Sequence, residues 1–172
     1  MNLKQHRQNY RYVMKRTTLG IIRKAAQVCL AMKLRGFGAG KWNFSGGKAE
    51  EGETTEVCFV RETLEEFHTR VRKVRRIAIL YFYFSDVKPE KGWDQKCDVF
   101  EAEEWDGEPQ RTNEMDPRWW ERNEIPYHQM WQADREWIEL ALDGHTLTGY
   151  FLFTSKGECL ESQIILDEII DE

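Results

Sequence analysis

The stretch GKWNFSGGKAEEGETTEVCFVRETLEEFHT, residues 40 to 69, decides how the rest of the chain is read. It opens in glycines and basic residues and ends in a run carrying Glu62, Glu65 and Glu66. Residues 55 to 67 read as a helix, with Thr54 or Thr55 as its N-cap and acids in the first turn. On a helix the three glutamates, spaced i, i+3 and i+4, fall on one face. Like charges placed so destabilise a bare helix by roughly a few tenths of a kcal/mol per pair. A solvated acidic face is the ordinary explanation of such a run. The alternative is a hard divalent cation, which relieves the repulsion by accepting carboxylate oxygens. Glycines upstream let backbone come close to a bound group. Glu53 and Arg61 add a further acid and a guanidinium fork able to orient carboxylates.

The bulk properties narrow the setting. At 172 residues the chain is long enough for one domain with a substantial core and short of two. A basic N-terminal tail at 1–16 and a single domain at 17–172 are expected. No apolar run approaches the ~20 residues that span a bilayer, and the N-terminus lacks the continuous apolar stretch of a secretory signal. The four cysteines, Cys29, Cys58, Cys97 and Cys159, form no CxxC pair and read as reduced thiols of a cytoplasmic protein. The net charge of -5 hides an asymmetry: residues 1 to 49 hold eleven Lys or Arg and no acid, and all thirty acids lie beyond. A substrate carrying both phosphates and a metal ion would suit such a chain.

Hydrophobic patterning gives a coarse map. TTLGIIR (17 to 23) and QVCLAMKL (27 to 34) read as a hairpin. Residues 35 to 52, with six glycines, read as loop with a short strand near Trp42. RRIAILYFYF (75 to 84) and QKCDVFEAEEW (95 to 105) are strands, and DPRWWERNEIP is a short strand and turn. ADREWIELALDG (133 to 144) is an amphipathic helix ending at Gly144. LTGYFLFT and CLESQIILDEI form a last pair of strands. Mixed strands with two separated helices make an α+β protein.

Residues 47 to 66 resemble the signature of the Nudix hydrolases. That signature is Gly, five residues, Glu, seven residues, Arg-Glu, two residues, Glu-Glu, one residue, Gly, then an apolar residue. Gly47, Glu53, Arg61, Glu62, Glu65 and Glu66 fill six fixed positions within 20 residues. A match of that quality makes the solvated acidic face the weaker explanation. Two positions depart: His68 stands for the glycine and Thr69 for the apolar residue. The glycine closes a helix in the left-handed conformation, which histidine tolerates at roughly 1 kcal/mol. Further stretches, MKLRGFGAGKWNFSGGKAEEGET, NEMDPRWWERNEIPYHQMWQADREW and HTLTGYFLF, are similar to a narrower group, the animal-type oxidised-purine nucleoside triphosphatases. That likeness runs from about residue 18 to 155.

The resemblance implies an α/β/α sandwich with a mixed sheet and a set of roles. Glu62, Glu65, Glu66 and the more distant Glu114 would bind Mg²⁺ or Mn²⁺, and Glu66 or Glu114 would act as base. Glu53 and Arg61 belong to the same catalytic signature, Arg61 as an orienting group. Lys33 and Lys48 would meet phosphates, and Gly46 and Gly47 would keep the loop close to the helix. Phe37, Asn43, Phe82, Trp131 and Asp134 would form the base pocket, with Gln95 at its rim. The implied reaction is hydrolysis of an oxidised purine nucleoside triphosphate, such as 8-oxo-dGTP, to the monophosphate and pyrophosphate, which cleans the nucleotide pool and limits DNA damage. The implied enzyme is a cytoplasmic monomer that binds neither membrane nor nucleic acid. Two other readings remain: Nudix chemistry on another nucleotide or a capped RNA 5′ end, and a regulator that binds nucleotide or RNA without catalysis. The related enzymes carry two adjacent aspartates after the tryptophan; here the segment is Trp131-Gln132-Ala133-Asp134. A carboxylate pair shares a proton and adapts to two kinds of purine edge. A lone Asp134 can only accept, which suits the N1–H and amino group of a guanine edge.

Overall fold

The computed structural model describes residues 1–9 and 14–172; residues 10 to 13, part of the segment expected as a basic tail, lie outside the described residues. In chain order the elements are α1 (Leu3–Gln8), β1 (Lys15–Ile21), β2 (Arg23–Lys24), β3 (Gln27–Lys33), β4 (Trp42–Asn43), β5 (Ser45–Lys48) and α2 (Thr55–Phe67). They continue with β6 (Arg70–Phe84), β7 (Gln95–Asp106), β8 (Met115–Glu121), α3 (Asp134–Leu142), β9 (Leu147–Phe153) and β10 (Cys159–Leu166). Parallel pairing of β6 with β9 beside antiparallel pairing of β9 with β10 makes the sheet mixed, and the fold is α+β as the sequence implied. No helix of the described residues is long and apolar enough to cross a membrane. The chain divides into two compact units, residues 1–17, 77–98 and 132–172 in one and 18–76 and 99–131 in the other.

In the first unit the strand order is β10-β9-β6-β7-β1. Side chains alternate across a strand, so Ile79, Tyr81 and Tyr83 of β6 share a face, which continues into Tyr150 and Leu152 of β9. Leu3 of α1 is buried in that cluster. The helix is started by a capping box in which Asn2 and Gln5 exchange side-chain and backbone hydrogen bonds. Arg7 lies 3.6 Å above the Tyr150 ring and pairs with Glu172 at 2.8 Å. Nothing in the apolar pattern announces this six-residue helix, which carries a single leucine. The helix expected at 133 to 144 forms as α3, burying Trp137, Ile138 and Ala141, and Gly144 after it adopts φ 94°.

In the second unit β6, β7, β1 and β5 pair in that order, and β3 pairs with β2, β4 and β8 in a second sheet. The hairpin expected over 17 to 34 is therefore reduced to Arg23↔Val28 and Lys24↔Gln27. The residues before it, β1, join the other sheet. The reason is visible at Ile21 and Ile22, both buried: two neighbours facing inward break the alternation, and the chain changes sheets there. The strand expected at 75 to 84 begins at Arg70, five residues earlier, because β7 offers acids to its basic residues. Arg72 meets Asp106 at 3.0 Å, Lys73 meets Glu103 at 3.1 Å and Arg75 meets Glu101 at 2.7 Å.

Helix α2 rests on this unit's core through Phe59 and Phe67, with Phe59 stacked on Phe100 of β7, ring centroids 5.8 Å apart. The ring has room because β1 carries Gly20, where a Cβ would stand 1.6 Å from the Phe59 ring. Thr54 caps the helix N-terminus, its hydroxyl accepting the Val57 N–H at 3.2 Å. At the other end His68 takes the left-handed conformation, φ 55° and ψ 25°, as the signature requires of the glycine it replaces. Replacing Gly20 by alanine forces the Phe59 ring out of a fully packed site. Urea unfolding of Gly20→Ala should show a loss of about 1–3 kcal/mol, the usual cost of overpacking.

Candidate functional site

The three residues of β5 that follow Phe44 each meet a different side chain of α2. Ser45 Oγ lies 2.8 Å from Thr63 Oγ1, and both residues are fully buried. Gly46 N–H donates to Glu66 Oε2 at 3.0 Å. A Cβ on Gly47 would fall 2.5 Å from the Glu62 carboxyl carbon. A Cβ on Gly46 would fall 1.9 Å from the Thr18 carbonyl oxygen. Gly47 thus lets this backbone lie against the Glu62 side chain, and Gly46 lets it lie against the backbone of β1.

Arg61 organises the outer carboxylates. Its Nε and Nη2 donate to the two oxygens of Glu53 at 2.8 and 2.9 Å, a bidentate fork. Its Nη1 donates to Glu62 at 2.8 Å and to Glu65 at 3.3 Å. The Arg61 hydrogen bonds hold the Glu53 carboxyl down at about 2. Glu66 is 2% exposed, and burial pushes its carboxyl up to about 7 against the Gly46 N–H and the Lys33 ammonium, which stands 3.8 Å away. Burial also raises Glu62, against the pull of Arg61. The negative charge of Glu114 adds to the rise at both glutamates.

These residues come together within one unit, as the signature implied. Glu114, at the end of the loop before β8, is paired with Arg35. Among the described residues no three His, Cys, Asp or Glu side chains stand at metal-ligand spacing. The Arg61 bonds set the positions of Glu62 and Glu65 instead. The chemistry of the set still suits a hard cation: every donor is a carboxylate oxygen, and the charges raise one another's proton affinity. Lys48 is exposed beside this group, its carbonyl 3.5 Å from Arg61 Nη2.

The residues proposed from sequence for a base pocket divide between the units. In one, Phe37 is 60% exposed and stacks on Trp131, centroids 5.3 Å apart. Asn43 accepts the Phe44 N–H on its side-chain oxygen at 2.8 Å. In the other, Phe82 stacks on Phe151 and is the one position from 77 to 84 that is not buried. Asp134 is buried and accepts the Trp137 indole N–H at 3.2 Å. Gln95 opens β7, half-buried.

Four contacts were not foreseen from the sequence. The Lys41 ammonium lies 5.0 Å from the Trp131 ring centroid. The others are the Arg35–Glu114 pair, the Ser45–Thr63 hydroxyl pair and the bonds made by Thr112. Spacing carries no trace of them, because each joins segments far apart in the chain.

This fold and this glutamate helix define a Nudix protein, and the chain belongs to that family: the NUDIX domain model matches residues 14–141. Nudix hydrolases generally use a divalent metal. A relative from Danio rerio, an oxidized purine nucleoside triphosphate hydrolase, is 38% identical over 162 residues, covering 93% of this chain and 99% of that protein. The protein of the same name from Mus musculus is 36% identical over 143 residues, 83% of this chain and 89% of its own. Among solved structures, a MutT protein from Bacillus halodurans superposes with TM-score 0.73 at 26% identity, covering 88% of this chain and 97% of that one.

The low Glu53 value gives a direct check on the Arg61 fork. A carboxyl depressed in the folded state stabilises fully above its ordinary value of 4.5, and that stability is lost as pH falls toward about 2. In Arg61→Gln the Glu53 midpoint, followed by carboxyl NMR, should rise toward the ordinary carboxylate range, stopping short of it by the share that the Glu50 N–H supplies. The stability difference between parent and variant should shrink as pH is lowered through the same window.

Proposed function

We propose that this protein is a Mg²⁺-dependent pyrophosphohydrolase of oxidised purine nucleoside triphosphates, releasing the nucleoside monophosphate and pyrophosphate. The observation that carries the reading is the set of α2 glutamates held against Gly46 and Gly47. It stands beside two relatives named for this activity. In this reading the basic segment 1–16 precedes a single catalytic domain at 17–172 and packs on it, with Leu3 of α1 buried in the core of the first unit. The enzyme would work in the cytoplasm as a monomer, where its free cysteines are stable as thiols.

In this reading Glu62, Glu65 and Glu66 hold the cation, with Glu114 reaching it from the loop. A bound Mg²⁺ supplies charge stabilisation at the phosphoryl oxygens and makes water more acidic. Arg61 fixes the direction in which Glu62 and Glu65 present their oxygens. Lys33 and Lys48 neutralise phosphate charge. Glu66 and Glu114 are the two candidates to take the proton of the attacking water, whose oxygen would form the new bond to phosphorus as the anhydride bond between the monophosphate and the leaving pyrophosphate breaks. Phe37 and Trp131 offer aromatic faces to the base, worth about 1–3 kcal/mol each by analogy with stacking in nucleic-acid sites. Asp134, with one oxygen on Trp137, is an oriented acceptor for the donors of a guanine-like edge.

Pyrophosphate release, measured with and without Mg²⁺ over normal and oxidised nucleoside triphosphates, tests the reading. Activity should require the metal and be greatest on an oxidised purine. Glu65→Gln, at an exposed position where shape is kept and charge removed, should preserve the melting temperature and abolish most turnover at saturating Mg²⁺. Retention of turnover within a factor of a few would remove Glu65 from the metal set.

The same panel examines the single aspartate. Ala133 is 1% exposed and precedes the first residue of α3. The parent should prefer 8-oxoguanine over oxidised adenine triphosphates in kcat/KM by about one to two decades, the effect of mispairing one buried polar group. Ala133→Asp should narrow that ratio. Because an aspartate at this N-cap also stabilises the helix, the ratio of the two substrates is the measurement, and either rate alone is not.

A further inference from the structure

The C-terminal turn of α2 leaves backbone carbonyls without partners inside the helix. Two of them are met by the loop that runs from β7 to β8. Gln110 N–H donates to the Phe67 carbonyl at 2.9 Å, and Thr112 Oγ1 donates to the Glu66 carbonyl at 3.0 Å. The same Thr112 oxygen accepts the N–H of Glu114 at 3.2 Å and that of Met115 at 3.3 Å. Thr112 N–H in turn donates to the Met115 carbonyl at 2.9 Å. One hydroxyl therefore joins the backbone of Glu66 to the backbone of Glu114. The loop is held on its other side by Leu34 N–H, which donates to the Glu114 carbonyl at 2.8 Å.

We propose that Thr112 is a positioning residue. Its hydroxyl ties the loop carboxylate Glu114 to the glutamate helix and so sets the spacing at which Glu114 and the α2 glutamates share a divalent cation. The inference rests on the metal reading above and adds to it the residue that fixes the distance. Glu66 and Glu114 lie 48 residues apart in the chain, on a helix and a loop. A ligand set split in this way binds tightly only if the two segments are held in register before the ion arrives. Valine in place of threonine keeps the branched shape and removes both the donor and the acceptor. Serine keeps the hydroxyl.

The test is titration of the full chain with Mn²⁺ alone, by calorimetry, with no nucleotide present. It compares the parent with Thr112→Val, Thr112→Ser, Glu114→Gln and the double variant Thr112→Val with Glu114→Gln. Thr112→Val should weaken Mn²⁺ binding roughly tenfold, the size of the effect when a supporting group behind a metal ligand is lost. Thr112→Ser should stay close to the parent. In the Glu114→Gln background the valine should add little, because the carboxylate it positions is already gone. Melting temperatures without metal separate this from general damage: a merely structural role lowers stability and leaves Mn²⁺ affinity unchanged. The proposal is overturned if Thr112→Val binds Mn²⁺ like the parent, or if the valine costs as much with Glu114→Gln as without it. It also falls if Glu114→Gln leaves affinity untouched; binding through α2 would then survive without Glu114. Should the Mn²⁺ pattern appear in a protein that hydrolyses no oxidised purine triphosphate, the positioning role stands and the substrate assignment fails.

Discussion

The carboxylate of Glu66, almost wholly buried and held by one backbone N–H at Gly46, is the constraint around which the second unit is arranged. A buried carboxyl needs both hydrogen bonds and positive charge to remain ionised. Gly46 supplies the first and Lys33 some of the second. The backbone that carries this N–H runs between β1 and α2, where a Cβ at Gly46 would strike the Thr18 carbonyl and one at Gly47 the Glu62 carboxyl. The Gly46–Glu66 bond also requires that α2 not slide, and the Ser45–Thr63 hydroxyl pair and the stack of Phe59 on Phe100 hold it from behind. Burial outweighs both supports and leaves this carboxyl at about 7, between the glycines and the helix packed on them.

The uneven charge of the chain resolves into local pairs rather than one broad basic field. Arg23 and Arg75 both meet Glu101, Lys24 meets Glu108, and Arg35 meets Glu114. Arg7, from the first stretch of the chain, pairs with Glu172. The acids that meet Arg7, Arg23, Lys24 and Arg35 all lie beyond residue 100, whereas Lys33 faces Glu66 of α2. Exposed pairs of this kind contribute little to stability singly. Their effect is to neutralise part of the positive charge of the first 49 residues locally.

Much of the fold was legible because it follows from period and punctuation. The limits of α2, Thr54 as cap and His68 in a left-handed turn all follow from local chemistry. Strands β7, β9 and β10 appear where β-branched and aromatic runs placed them. The assembly of Glu53, Arg61, Glu62 and Glu65 was legible too, being confined to one helix and the loop before it. What was not legible depends on which segments become neighbours. The early start of β6 at Arg70 is set by acids on another strand. The loss of the first hairpin is set by a change of sheet at Ile21 and Ile22. Helix α1 is too short to carry a pattern of its own and forms against a tyrosine-rich face assembled from β6 and β9. At the site, Arg35, Lys41 and Thr112 act across the chain, and nothing in their local sequence marks them.

The fit between Gly20 and Phe59 bears on how this chain can diverge. The ring fills the space that any side chain at position 20 would need, so the two positions behave as one volume shared between a strand and a helix. A larger residue at 20 is admissible only after the ring at 59 has become smaller, and a smaller residue at 59 leaves a void until position 20 fills it. The order of substitution therefore matters. A lineage that shrinks the helix residue first passes through a cavity, which costs about 3–5 kcal/mol when a buried phenylalanine is truncated fully. One that enlarges the strand residue first passes through a collision in its core. Two descendants could hold the same combined volume with opposite partition and still be separated by a step that neither can reverse alone.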